Sequence, residues 1–196
     1  MLELYTCVRR LLGNGKVSVE AGITVSLCGV VITAATLIFM PSQRIIMGVL
    51  SFIGLAMLLM IPVSKIAARN EKIWFVAAVL IFFITRNINV GWLGFERILI
   101  AALPKWLYRL PFGFVLGFPS PRFYSSDYFS LIPWFFLFAA GHFGWQIIKC
   151  RAEKSALFYK DVPILGAIGR KSLLIYMLHQ PVTMAVFEVV SKLLSF

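Results

Sequence analysis

The chain has 196 residues, 60% of them hydrophobic and 14% charged, with a mean hydropathy of +0.89 and a net charge of +11. Soluble domains carry roughly 25% charged residues, and a chain of this length could not hide so much apolar surface from water. The charge excess does not point to nucleic acid, because the Lys and Arg residues cluster at the ends of long uncharged runs, where they meet anionic headgroups and fix orientation.

The predicted fold is all-α, a polytopic transmembrane helix bundle of about five spans plus an interfacial segment. It forms one domain over residues 1–196. The N-terminal stretch is basic, and the apolar run after it is long enough to span and has no small-residue cleavage site, so we read no signal peptide. The first span covers residues 21–40 and contains Cys28, a small packing residue. Cys7, Cys28 and Cys150 form no pair or metal spacing. Pro41, Ser42, Gln43 and Arg44 make a tight turn into the second span, residues 45–63. The third span starts at Ile73 and is short. It crosses only if it runs on to about residue 88 or if Lys72 and Arg86 snorkel.

Residues 86–127 are rich in Trp, Phe, Gly and Pro among basic residues, the composition of a membrane interface. Residues 90–103 are expected to lie as a surface helix, and PFGFVLGFPSP as a re-entrant or interfacial loop. The fourth span covers residues 128–148, with Ser126 or Asp127 as its cap and Pro133 in its first turn. The fifth covers residues 172–190. Placing the N-terminus in the cytoplasm puts most of the 19 basic residues inside, among them Lys65, Lys149, Arg170 and Lys171.

Polar groups at membrane depth are expensive and few here. On the fifth span, Ser172, Tyr176, His179 and Thr183 recur four, three and four residues apart, which puts them on one helix face. Pro181 frees the carbonyl of Met177 one turn back. His179 lies about 12 Å beyond Lys171 along the axis. A neutral imidazole there can act as a base, or it can simply bond to another helix. His142 sits between Gly141 and Gly144, which let a neighbouring helix approach. Asp127 is either a helix cap or a carboxylate at the mouth of a pocket, orienting a base or a substrate amine or hydroxyl. Glu188 reads as interfacial. No phosphate loop, nucleophile elbow or metal-ligand spacing is present, and no metal is expected.

The segments SSDYFSLIPWFFLFAAGHFGW and GRKSLLIYMLHQPV resemble motifs of a bacterial membrane family related to heparan-alpha-glucosaminide N-acetyltransferase. QRIIMGVLSFIGLAMLL also resembles one of its helices. The resemblance begins at the end of the family's second helix. The D-x-x-R-G motif and the histidine that open the family have no counterpart here, as though the N-terminal helices were lacking.

The resemblance implies a polytopic acyltransferase that moves an acetyl or other acyl group from acyl-CoA to a sugar or polysaccharide acceptor. It implies a bacterial inner membrane, with acetyl-CoA or another acyl-CoA as co-substrate and no permanently bound cofactor. His179 and Asp127 become the catalytic candidates. Tyr176, Ser172, Gln180, Arg170, Lys171, Trp134 and His142 become candidates for holding substrate or donor. Expected partners are membrane lipid, the acceptor and further copies of the chain. The alternative readings are a non-catalytic membrane subunit, a small transporter and an inactive truncated homologue.

Overall fold

The computed structural model describes residues 15–67, 70–152 and 171–194. Arg170, and the side chains of Ser172, Gln180 and Glu188, lie outside the described residues. Among the described residues there are five long helices: α1 (Gly15–Phe39), α2 (Val49–Ala67), α3 (Glu71–Thr85), α4 (Leu131–Ala152) and α5 (Ser172–Leu194). Among the described residues, four segments are long and apolar enough to cross a membrane: Val19–Phe39, Val49–Ala67, Glu71–Val90 and Leu131–Ile148. The third predicted span does run on, through a 3-10 turn at Ile88–Val90. The fifth predicted span forms α5, which is not one of those four. Large apolar side chains such as Val30, Ile38, Phe39 and Ile73 stand outward. Such exposure is what lipid-facing helices require, because hydrocarbon tails solvate them and every helical backbone group is satisfied internally. The protein is therefore an integral membrane helix bundle.

The helices pack as two antiparallel pairs, α1 with α2 and α3 with α4, and α2 touches α4 lightly between them. The two pairs use different physics. Between α1 and α2 the backbones almost meet. A Cβ on Gly29 would lie 2.6 Å from the backbone nitrogen of Ser51, and one on Gly54 would lie 2.5 Å from that of Ser26. Lipid tails are as apolar as leucine, so helix pairing rests on close packing, and small residues make that possible. Between α3 and α4 the contact is built from side chains. Ala78, Ala139, Ala140 and Phe143 are buried there with Met60 of α2, and Phe75, Phe135 and Phe138 pack around them.

Residues 90–103 are a correction to the expected surface helix. They form an antiparallel hairpin of β1 (Trp92–Phe95) and β2 (Ile98–Ala102). Gly91 and Gly94 sit at φ +97° and +137°, and Glu96 enters the left-handed region in the two-residue turn. None of these angles occurs inside a regular helix: Gly91 ends the 3-10 turn, Gly94 sits at a bulge in β1, and Glu96 shapes the hairpin turn. Phe95 docks edge-on against Phe83 of α3, with ring centroids 4.8 Å apart, and so fixes the hairpin to the end of the third span. Beyond it, Lys105–Arg109 forms a 3-10 turn and Gly113–Leu116 a single helical turn.

Candidate functional site

The candidate site is assembled where the loop between α1 and α2 meets the segment leading into α4. Residues 44–47 and 125–129 run side by side. Ser126 N–H donates to the Arg44 carbonyl at 3.1 Å, and Phe129 N–H donates to that of Met47 at 2.9 Å. The Ser125 hydroxyl accepts from Ile46 N–H at 2.9 Å. The Thr36 hydroxyl, buried on α1, accepts from Ile45 N–H at 3.1 Å. These contacts place irregular backbone beside the last turns of a membrane-spanning helix. Such backbone is tolerated at that depth only when it is buried in protein and its polar groups find partners, and these bonds supply part of that pairing.

Asp127 is brought to the first turn of α2. Its Oδ2 accepts from Val49 N–H at 3.4 Å and from the Tyr176 hydroxyl at 3.2 Å. The carboxylate thus sits on one of the free N–H groups of the helix start, at the positive end of the helix dipole. Asp127 therefore caps α2, from 78 residues away, and not α4. The reason is visible in the chain path. Ile132 is non-helical, so regular α4 geometry starts at Pro133, too far from Asp127 for it to cap. Ser126 does not cap α4 either, since its hydroxyl donates to the Gln43 carbonyl at 3.0 Å. Gly48 makes room for this contact, because a Cβ there would lie 3.2 Å from Asp127 Oδ2 and 2.7 Å from Ile45 Cγ2.

Gly29, Ile32, Ile45, Gly48, Val49, Leu50, Ser51, Asp127 and Tyr176 line a small cleft. Its volume is about 10 Å³, room for a single water. Spacing alone did not identify the α1 and α2 contributors. The signal was available as small residues Gly22, Ser26 and Gly29, four and three apart on one face of α1.

The predicted stripe on α5 is divided. Tyr176 turns to Asp127, while His179 is exposed. His179 Nδ1 lies 2.5 Å from the Tyr176 carbonyl, and the two rings are 4.9 Å apart. A carbonyl only accepts, so Nδ1 is the donor in this contact. The Thr183 hydroxyl donates to the His179 carbonyl at 2.6 Å. His179 and Asp127 do not touch directly, and Tyr176 stands between them. Tyr176 is about 6 Å along the axis from the start of α5, whereas Lys65 lies about 24 Å along α2 from Val49. Lys171 therefore sits toward the Asp127 end of the bundle. The expected grouping of Lys171 with Lys65 on one membrane face is corrected by this contact.

The remaining candidates stand apart from the cleft. Trp134 lies under the Arg86 guanidinium, 4.9 Å from ring centroid to Cζ, and against Phe129 and Phe82. His142 is half-buried on α4 with its ring edge-on to Phe143. Of its flanking glycines, Gly144 receives Phe75 closely and Gly141 faces open space.

Tyr128, next to Asp127, donates to the Phe114 carbonyl. Burial pushes its phenol up to about 12, so it remains a donor throughout the physiological range. Ser130 is fully buried, 3.1 Å from Asn89 Oδ1 and 2.5 Å from the Ile132 carbonyl. Ser130→Ala is expected to lower stability by about 1–2 kcal/mol, since the one buried hydroxyl proton that these two acceptors share is lost. Thermal unfolding in detergent measures this, and an unchanged midpoint would show that the bonds are dispensable.

No curated protein and no solved structure matches the chain. A family model described as heparan-alpha-glucosaminide N-acetyltransferase, catalytic, matches residues 6–181. That match takes in the Asp127 segment, the cleft and most of the α5 stripe. The chain therefore belongs to the heparan-alpha-glucosaminide N-acetyltransferase catalytic family, whose character is that of a membrane acetyltransferase.

Proposed function

We propose that this protein transfers an acetyl or other acyl group from an acyl-CoA to a sugar or polysaccharide acceptor, in a bacterial cytoplasmic membrane. One observation carries the reading: the Tyr176–Asp127 hydrogen bond joins, in one cleft, the two motifs on which the family resemblance rests. Asp127 would accept a hydrogen bond from the acceptor's amine or hydroxyl. His179 Nε2 would take the acceptor's proton as its nitrogen or oxygen attacks the thioester carbonyl, and the CoA thiolate would leave. Tyr176 would hold both groups in register. Arg170 and Lys171 would pair with donor phosphates. Ser172, Gln180, Trp134 and His142 would contact donor or acceptor once α5 moves outward, since the closed cleft admits no more than a water.

That tightness favours a second reading, in which Asp127 and Tyr176 are a structural clasp in a non-catalytic membrane subunit. Acyl-CoA binding and acyl transfer by the purified protein in detergent separate the two. The acyltransferase reading expects His179→Ala to keep donor binding and lose transfer about 10²- to 10⁴-fold. It expects Arg170→Ala to weaken donor binding about tenfold. A well-folded wild type that binds no acyl-CoA would leave only the clasp.

A further inference from the structure

The hairpin at the end of α3 presents a surface that the acyl-transfer reading does not use. β2 is exposed along its whole length, with Ile98 at 70%, Leu99 at 55% and Ile100 at 63% exposure. The sheet has two strands, so the outer edge of β2 carries no strand partner among the described residues. Nearby, Trp106 on the 3-10 turn and Phe112 after it are also exposed. Between residues 91 and 122 the charges are Arg97, Lys105, Arg109 and Arg122 against the single acid Glu96.

Unsatisfied strand N–H groups are too costly for the hydrocarbon core, and so many apolar side chains are unfavourable in bulk water. Both constraints are met at headgroup level. There apolar side chains reach the acyl boundary, while phosphate oxygens and water accept from the backbone and the basic residues. The hairpin is fastened to the end of a span through Phe95 and Phe83, which puts it at that level. A second copy of the chain pairing along β2 would bring the same basic residues together, so charge favours lipid over self-association.

We propose that β2 and the Lys105–Arg109 turn form a binding surface for anionic phospholipid in the leaflet at the Asp127 end of the bundle. Arg97, Lys105 and Arg109 engage the headgroup phosphate, and Ile98, Ile100 and Trp106 enter the acyl boundary.

The test is tryptophan quenching in the full-length protein, reconstituted in phosphatidylcholine vesicles with either brominated phosphatidylglycerol or brominated phosphatidylcholine at equal bromine content. Wild type is expected to prefer the anionic lipid about fivefold or more in relative association. The preference should shrink with added salt. It should disappear in an Arg97→Gln/Lys105→Gln/Arg109→Gln variant, and Trp106→Phe should remove the quenching component that reports it. All of these changes are on exposed positions, and circular dichroism checks that each variant keeps its helices. Equal quenching of wild type by the two lipids would overturn the proposal. So would a lipid-indifferent dimer whose cross-links run through Leu99→Cys placed on β2.

Discussion

Gly29→Leu and Gly54→Leu will each force α1 away from α2 and lower stability by about 3 kcal/mol, the upper part of the usual overpacking range. The clash is with side chain and backbone in both cases: the added Cβ would meet Ser51 Oγ and, at 2.6 Å, its N, or Ser26 Oγ and, at 2.5 Å, its N. The hydroxyls can rotate aside, but the backbone nitrogens cannot. Shortening the facing side chain should therefore not help, and Ser51→Gly should fail to rescue Gly29→Leu. Gly22 provides the contrast, since a Cβ there meets Cδ2 and Cγ of Leu58 at 2.8 and 2.9 Å. Gly22→Ala should be mild and should be relieved by Leu58→Ala. The measurement is the denaturation midpoint in mixed detergent for the singles and the pairs. Rescue of Gly29→Leu by Ser51→Gly would mean that the two helices can separate without penalty and that the close crossing is incidental.

Asp127→Ala is the second large effect, and it acts on stability and site together. It strips the acceptor from Val49 N–H and from the Tyr176 hydroxyl. It also removes a carboxylate from the positive end of α2. Hydrogen bonds to charged groups contribute about 1.5–3 kcal/mol, and these two are long, so a total loss of about 2–4 kcal/mol is expected. Asp127→Asn keeps an oxygen for the same donors and should recover a good part of the stability while losing the charge. A double-mutant cycle of Asp127→Asn with Tyr176→Phe isolates their coupling, expected at about 1 kcal/mol. A coupling of zero would mean that Tyr176 merely lies near Asp127 and that nothing ties α5 to the cleft.

Much of this architecture can be read in the sequence, because a membrane span is a one-dimensional signal. Long uncharged runs lie in the segments that form α1 to α4, and the short third run continues through the 3-10 turn at Ile88–Val90. What could not be read depends on partners distant in the chain. Asp127 stands just before an apolar run, so local reasoning gives it to the helix that follows. Its actual partner, Val49, is brought there by backbone pairing between residues 44–47 and 125–129. The hairpin was missed because an apolar stretch with scattered polar residues looks the same as an interfacial helix until the positive φ values at Gly91, Gly94 and Glu96 are known. The α5 spacing correctly put Tyr176 and His179 near one another. It could not tell that the first would turn to the cleft and the second away from it.

The pairing of helices has a mechanical side. Within each pair, α1 with α2 and α3 with α4, the contact is long and dense, whereas α2 and α4 meet only lightly. Among the described residues, packing is therefore thinnest at the seam between the two pairs. The segment from Ser125 to Phe129 crosses that seam, tied on one side to the α1–α2 loop and continuous on the other with α4. Any rocking of one pair against the other must stretch this strap, and Asp127 lies at its middle. Widening the cleft and loosening the carboxylate from Val49 would then be a single motion.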